Sequence, residues 1–404
     1  MKKYTFDLLT QIKDYFLHVM CEREITCRER KYRDEQKRVM YILCANDRFN
    51  YGDLLFPFII RFFFKNIIDE FIICSTTTSD MSETGALPTT DFSIFKNIDP
   101  TARNILMIGG GECLFCEWDV ILEYVKGERA KESVWPTKYP FTIGKNELKG
   151  IDTIIYNSVG GHQIVERQEI LRNVENRSIL SSVDYISVRD KQTSFGLKKM
   201  KVNHVLCADS AILMSEIFDD SFLNAHSSSF VESMTRRKYL FFQIGLQHLK
   251  DWKEDYAQIL EYINKKYSLH ICMCPIGLAY GHDDPKAIKE IADLMPLGIY
   301  TIIERPSIWD IMNLIRQSKI YVGSSLHGAI TAMSYDVPLI GFGPRKLQLY
   351  IETWYDTIRS ECSFVAIDNL RSAIERRLES RFTISAKEQK CSVKKSFKRM
   401  QKFL

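Results

Sequence analysis

The chain has 404 residues, which at roughly 100–200 residues per domain predicts two or three domains. Apolar residues make up 45% and charged residues 26%, the composition of a globular chain, which excludes disorder, collagen and coiled coil as the main architecture. A net charge of +4 is too small to mark a dedicated nucleic-acid binder, and 11 scattered cysteines exclude a disulfide scaffold and fit a reducing cytoplasm.

Residues 1–36 join an apolar start (Leu8, Leu9, Ile12, Phe16, Leu17) to a charge-dense run, and predict an N-terminal extension of one or two surface helices. Asp7, Lys13 and Asp14 interrupt what would be the apolar core of a signal peptide. The most apolar stretch, Phe56 to Cys74, carries Arg61, Lys65, Asp69 and Glu70 and is not expected to span a membrane. The first strand is Arg38 to Cys44. It leads through a polar turn, Asn46 to Tyr51, into a helix from about Asp53. Further strands are Phe71–Cys74, Asn104–Ile108, Thr153–Ser158, Tyr185–Val188 and His204–Cys207, with a loop or insertion at 126–148. Residues 215–237 are rich in Asp, Ser and Arg and are expected to link two domains. A second series follows, with strands Tyr239–Ile244, Leu269–Met273, Tyr300–Ile303, Ile320–Val322 and Pro338–Ile340, and helices from Asp284 to Met295 and Ser307 to Ser318. Short apolar runs alternating with helical stretches predict an α/β protein of two Rossmann-like, doubly wound domains facing a cleft. The boundaries are 37–225 and 226–370, with a basic helical tail at 371–404.

In open α/β sheets ligands bind at the carboxyl ends of the strands, and the chemistry-bearing residues fall there. Asn50-Tyr51-Gly52-Asp53 follows the first strand; Asp53 either caps the next helix or meets a ligand. Gly109-Gly110-Gly111 lets the backbone approach an anion or simply makes a tight turn, and Gly160-Gly161-His162 is a weaker version of it. Arg189 ends a buried strand; its guanidinium suits a carboxylate or phosphate, or an ion pair. His327, within Ser324-Ser325-Leu326-His327-Gly328 ahead of a helix expected over Ala329–Ser334, sits where an imidazole can do acid–base work. Arg345-Lys346 offers compact charge for a phosphate oxygen, or is an exposed basic pair. Cys113-x-x-Cys116 and Cys272-x-Cys274 fit no zinc spacing and read as buried thiols, so no metal is expected. No G-x-S-x-G elbow supports a serine hydrolase.

Taken together, Asn50-x-Gly52-Asp53, Gly109-Gly110-Gly111, Val188-Arg189-Asp190, Ala208-Asp209 and Ser325-Leu326-His327-Gly328 with Val337-Pro338 resemble the polysaccharide pyruvyl transferase family over about residues 40–350. Many members carry arginine where this chain has Ser325, and serine where it has Thr193. The resemblance implies a GT-B-like pair of domains. It also implies transfer of pyruvate from phosphoenolpyruvate onto two hydroxyls of a sugar, forming a ketal, in exopolysaccharide, capsule or other cell-surface glycan assembly. On that reading His327 and Asp53 are catalytic. Arg189, Lys346, Gly110, Gly111 and Ser325 bind the donor, and Asn50 and Asp53 meet the acceptor, a glycan or lipid-linked oligosaccharide. No cofactor or metal is required. The alternatives are a nucleotide-sugar-dependent GT-B glycosyltransferase and a non-catalytic glycan-binding member.

The tail is the strongest charge feature. Residues 381–404 hold eight Lys/Arg and one acidic residue, a local +7 on a chain that is otherwise −3. Val393, Phe397, Met400 and Phe403-Leu404 fall on one helical face. The pattern predicts either a helix docked on the body with its lysines in solvent, or a peripheral contact with the inner face of a membrane through residues 385–404.

Overall fold

The computed structural model describes residues 36–118, 121, 139–249, 251–279, 284–355, 363–380 and 385–404. The helices expected before residue 36, and the part of the 126–148 loop up to residue 138, lie outside them.

Eleven strands form two all-parallel sheets among the described residues. The first contains β1 (Arg38–Leu43), β2 (Glu70–Cys74), β3 (Arg103–Ile108), β4 (Thr153–Val159), β5 (Tyr185–Val188) and β6 (Val205–Leu206), in the order β2-β1-β3-β4-β5-β6. The second contains β7 (Tyr239–Gln243), β8 (His270–Met273), β9 (Tyr300–Ile302), β10 (Ile320–Gly323) and β11 (Leu339–Gly341), in the order β11-β10-β7-β8-β9. The strand order reverses between β1 and β3 in one sheet and between β7 and β10 in the other. Those crevices are the switch points where doubly wound sheets hold ligands.

Strand alternation explains the core. Along β1, Met40 and Ile42 face one apolar layer while Val39, Tyr41 and Leu43 face another. Along β7, Tyr239 and Phe241 join the same layer as Met40 and Ile42, and Leu240 and Phe242 face away. The inner faces of both sheets therefore share one continuous core. Phe58, Phe218, Phe222 and Trp309 pack edge to face or tilted within it.

Three local expectations change. The helix after β1 begins at Phe56 with Leu55 at its cap, so Asp53 does not cap it. Proline at residue 57 fits that first turn, where no amide partner is needed. The helix after β10 starts at Leu326, not Ala329, which places His327 in its first turn. The stretch expected as a linker folds as two helices, Asp220–His226 and Ser229–Thr235. They dock on the helix Ile308–Gln317, where Asp310 Oδ1 accepts from the Ser228 amide at 2.7 Å.

The tail forms a helix, Lys387–Met400, followed by a single turn of 3-10 helix. Its apolar face is covered: Val393, Phe397, Met400 and Leu404 are buried, and Phe397 packs on Phe63 and Phe64. The chain ends at the first sheet, where the Phe403 carbonyl accepts from Arg103 Nη2 and Thr153 Oγ1, each at 3.0 Å. The lysine face, not the apolar one, is what remains for a partner. No helix among the described residues is long and apolar enough to cross a membrane.

Candidate active site

The two switch points face one cavity of about 660 Å³. Asn50, Asp53, Gly110, Gly111, Arg189, Ser325, His327 and Lys346 all line it. Loops after β1, β3 and β5 supply one wall, and the ends of β7, β10 and β11 supply the other. The loops also touch across the cleft: Asn50 bridges to Gly277, and the Tyr51 amide donates to the Ile276 carbonyl at 3.1 Å.

His327 is 8% exposed. Its Nε2 lies 3.5 Å from Asp209 Oδ2, within ion-pair range, and makes no hydrogen bond among the described residues. Its Nδ1 side faces Gly52, where a Cβ would come within 1.8 Å of the nitrogen. The glycine of Asn50-x-Gly52-Asp53 is thus required by the imidazole, not by its own backbone angles. Phe56 holds the ring edge to face at 5.5 Å. Burial alone would raise the Asp209 carboxyl, but His327 and Arg189 beside it hold it below the ordinary carboxylate range. The arrangement is an imidazole backed by an ionised carboxylate.

Asp53 is buried and accepts from Asn50 Nδ2 at 2.6 Å. Burial pushes its carboxyl up, partly offset by His327, Lys346 and Arg48. Lys346 is half-buried, forms no ion pair among the described residues, and is pushed down by burial and by the charge of Arg189. It stands at the start of the helix Arg345–Trp354, whose cap, Pro344, offers no side-chain acceptor. The first amides of that helix and its positive end face the cleft beside the lysine. Gly110 and Gly111 have φ of +146° and +92°; a Cβ on Gly110 would meet the Phe56 ring at 2.6 Å. These two glycines are needed for the turn itself.

Two of the cavity-lining residues are also tied into the fold, Arg189 by the ion-pair alternative and Ser325 as a helix cap. Arg189, 2% exposed, is not a free guanidinium. Its Nη2 donates to Glu112 Oε2 at 2.7 Å and its Nη1 to Asp209 Oδ2 at 3.1 Å. Burial would lower its pKa, but Glu112, Asp209 and Asp190 together raise it. Removing it would take away the shared cation of Glu112 and Asp209, leaving Glu112 to His162 and Asp209 to His327 and the Ala211 amide. Asp190 is not its ion-pair partner by hydrogen bond; it caps the helix Lys191–Lys199, accepting from the Thr193 amide at 2.7 Å. Ser325 caps the helix of His327, its hydroxyl accepting from the Gly328 amide at 3.3 Å.

Glu112 and Asp209 are the residues that sequence reasoning left without a role. Asp209 stood in a quoted motif, and Glu112 directly follows the three glycines. Glu112 joins Arg189 to His162, whose backbone amide and Nδ1 lie 2.9 and 2.8 Å from Oε1. Burial would raise Glu112, but His162 and Arg189 lower it to about 2. Cys272 and Cys274 are buried in and beside β8, and every described cysteine is a free thiol.

Two facing Rossmann-like sheets with an acid–base and cationic cluster at their switch points define a GT-B-type, two-domain enzyme architecture. Among solved structures, the UDP-GlcNAc 2-epimerase from Methanocaldococcus jannaschii is similar with a TM-score of 0.57 and 13% identity, over 90% of this chain and 99% of that one. The Neisseria meningitidis UDP-GlcNAc 2-epimerase, solved with UDP-GlcNAc, gives 0.57 at 10% identity, over 90% and 100%. At such identities the likeness concerns the fold. No curated protein matches. Residues 50–345 match the model of the polysaccharide pyruvyl transferases, and the chain belongs to that family of transferases.

Proposed function

We propose that the protein transfers pyruvate from phosphoenolpyruvate to two hydroxyls of a sugar, forming a cyclic ketal during cell-surface polysaccharide assembly. The observation that supports this most directly is the single cavity that joins His327, Asp53 and the uncommitted Lys346, within a chain of this family. Phosphoenolpyruvate has three demands: its methylene must be protonated, its anionic groups held, and its C2 attacked twice.

His327 protonates the methylene carbon, and Asp209 behind Nε2 stabilises the imidazolium that does so. C2 becomes an oxocarbenium-like electrophile. Asp53, oriented by Asn50, takes the proton of the first sugar hydroxyl as its oxygen bonds to C2. The C2–O bond to phosphate then breaks, and the proton held by Asp53 leaves with phosphate. The second hydroxyl closes the ketal and returns its proton to His327. Lys346 and the amides beside it hold the phosphate. Arg189, fixed by two carboxylates, lends its field rather than a free fork, unless the donor displaces Glu112. Ser325 acts through the helix it caps.

The acceptor is a glycan or lipid-linked oligosaccharide, and the site of action is the cytoplasmic face of a membrane. The exposed Lys395, Lys398, Arg399 and Lys402 on the docked tail supply an electrostatic contact with anionic lipid. The test is phosphate release from phosphoenolpyruvate by the wild type and His327→Ala, with lipid-linked glycans as acceptor. UDP- and GDP-sugars serve as competing donors. Acceptor-dependent release by the wild type and none by the variant is expected. Consumption of a nucleotide sugar instead would overturn the proposal.

A further inference from the structure

One helix ties the two halves of the site together. The helix Arg345–Trp354 leaves the second sheet with Lys346 at the cavity end. Residues 346, 350, 353 and 354 fall on one face at helical spacing. Along that face the contacts cross to the other domain. Tyr350 OH, fully buried, accepts from the Asp209 amide at 3.2 Å. Thr353 Oγ1 accepts from the Lys191 amide at 3.2 Å. Trp354 Nε1 donates to the Arg189 carbonyl at 2.6 Å.

The three partners are backbone groups of the two loops that carry Arg189 and Asp209. The tail helix closes the arrangement from outside. Gln389 Nε2 donates to the Trp354 carbonyl at 2.5 Å, and Ser392 Oγ accepts from the Ala208 amide at 3.0 Å. Tyr350, Thr353, Trp354, Gln389 and Ser392 all lie beyond residue 345, outside the family match.

We infer that Tyr350 and Trp354 are positioning residues that clasp the Arg189 and Asp209 loops and thereby set where Lys346 stands in the donor site. The inference rests on the reading of that site as a phosphoenolpyruvate site. Its physical need is plain. Lys346 feels the charge of Arg189 across the cavity, offset by Glu112 and Asp53, so its place depends on the spacing of the two walls. Side-chain bonds to backbone groups hold the two walls at fixed spacing with no added charge. Backbone groups also fix the loops whatever side chains those loops carry.

The test compares Trp354→Phe, which keeps a ring and loses the N–H, with Tyr350→Phe, which loses only the hydroxyl. Phosphoenolpyruvate affinity is read by calorimetry, and KM for donor and acceptor by phosphate release. Each variant should weaken donor affinity about 10-fold, with acceptor KM changed less than about 3-fold, since the clasp acts on Lys346. In a Lys346→Ala background the same substitutions should add little, because coupled residues are non-additive. A purely structural role would instead give losses that add in both backgrounds. Unchanged donor affinity in both variants, or additivity, overturns the inference while leaving the donor assignment intact. If Trp354→Phe does not fold, Tyr350→Phe decides alone. A wild type that binds no phosphoenolpyruvate overturns both the donor assignment and the clasp.

Discussion

At the scale of residues, the site is built around a missing side chain. Gly52 leaves the space that His327 occupies, and a methyl there would overlap the imidazole. Gly52→Ala should therefore lower turnover by about 100-fold, the scale on which a misplacement of about 1 Å acts. It should also lower the melting temperature. The double variant Gly52→Ala, His327→Ala should recover stability without activity; a double variant no more stable than the single would show that the clash lies elsewhere. Asp53 gives a second check, through pH. Its carboxyl is raised by burial, so the folded state favours the protonated form and its ionisation opposes folding. That penalty is present at neutral pH and disappears below the ordinary aspartate value of about 3.9. Asp53→Asn should raise the melting temperature at pH 7 and lose this advantage in acid, while turnover falls. A variant less stable than wild type at pH 7 would contradict the sign.

At the scale of elements, the chain's punctuation was readable and its side-chain bookkeeping was not. All eleven strands fall where apolar runs predicted them, because the inner strands of a parallel sheet are buried on both faces and need continuous apolar sequence, while the edge strands β2, β6 and β9 are half-buried. Helix starts were less legible. Asp53 looked like a cap, yet two more residues, Leu54 and Leu55, precede the helix at Phe56, and Asp53 lines the cavity. Ser325 looked like a ligand contact; it lines the cavity and is also the cap. A short polar residue before a helix carries the same signature in both cases, and only tertiary neighbours separate them. Arg189 shows the same limit: its partners Glu112 and Asp209 come from other strand ends, 77 and 20 residues away.

The tail helix belongs to this scale too. Its apolar face is spent on the first domain, so any lipid contact must be electrostatic and salt-sensitive. Charge reversal at Lys395, Lys398 and Lys402 should abolish co-sedimentation with phosphatidylglycerol vesicles while leaving the melting temperature within a few degrees. Wild-type protein that stays in the supernatant at low salt would remove membrane contact from the account.

At the scale of the whole molecule, the question is how two sheets come to share one site. Strand order could not be read from the sequence, yet it is the order that puts β1 beside β3 and β7 beside β10 and so opens the two crevices. The apolar layer between the sheets runs from Met40 to Trp309 and Ile330 without a break. A large apolar boundary resists independent domain motion and independent unfolding. Scanning calorimetry should therefore show one cooperative transition; two resolved transitions, each assignable to one sheet, would contradict a shared core.

The central claim is that loops from both sheets act on one donor. It is tested most directly by following the acceptor itself. Purified protein, phosphoenolpyruvate and a lipid-linked glycan should yield a pyruvate ketal seen by mass spectrometry and NMR, with one phosphate released per ketal. Loss of the product in both His327→Ala and Asp53→Asn would place one residue from the loops of each sheet at the same molecule. Ketal formed at wild-type rate by His327→Ala, or no ketal from any hydroxyl acceptor, would contradict it.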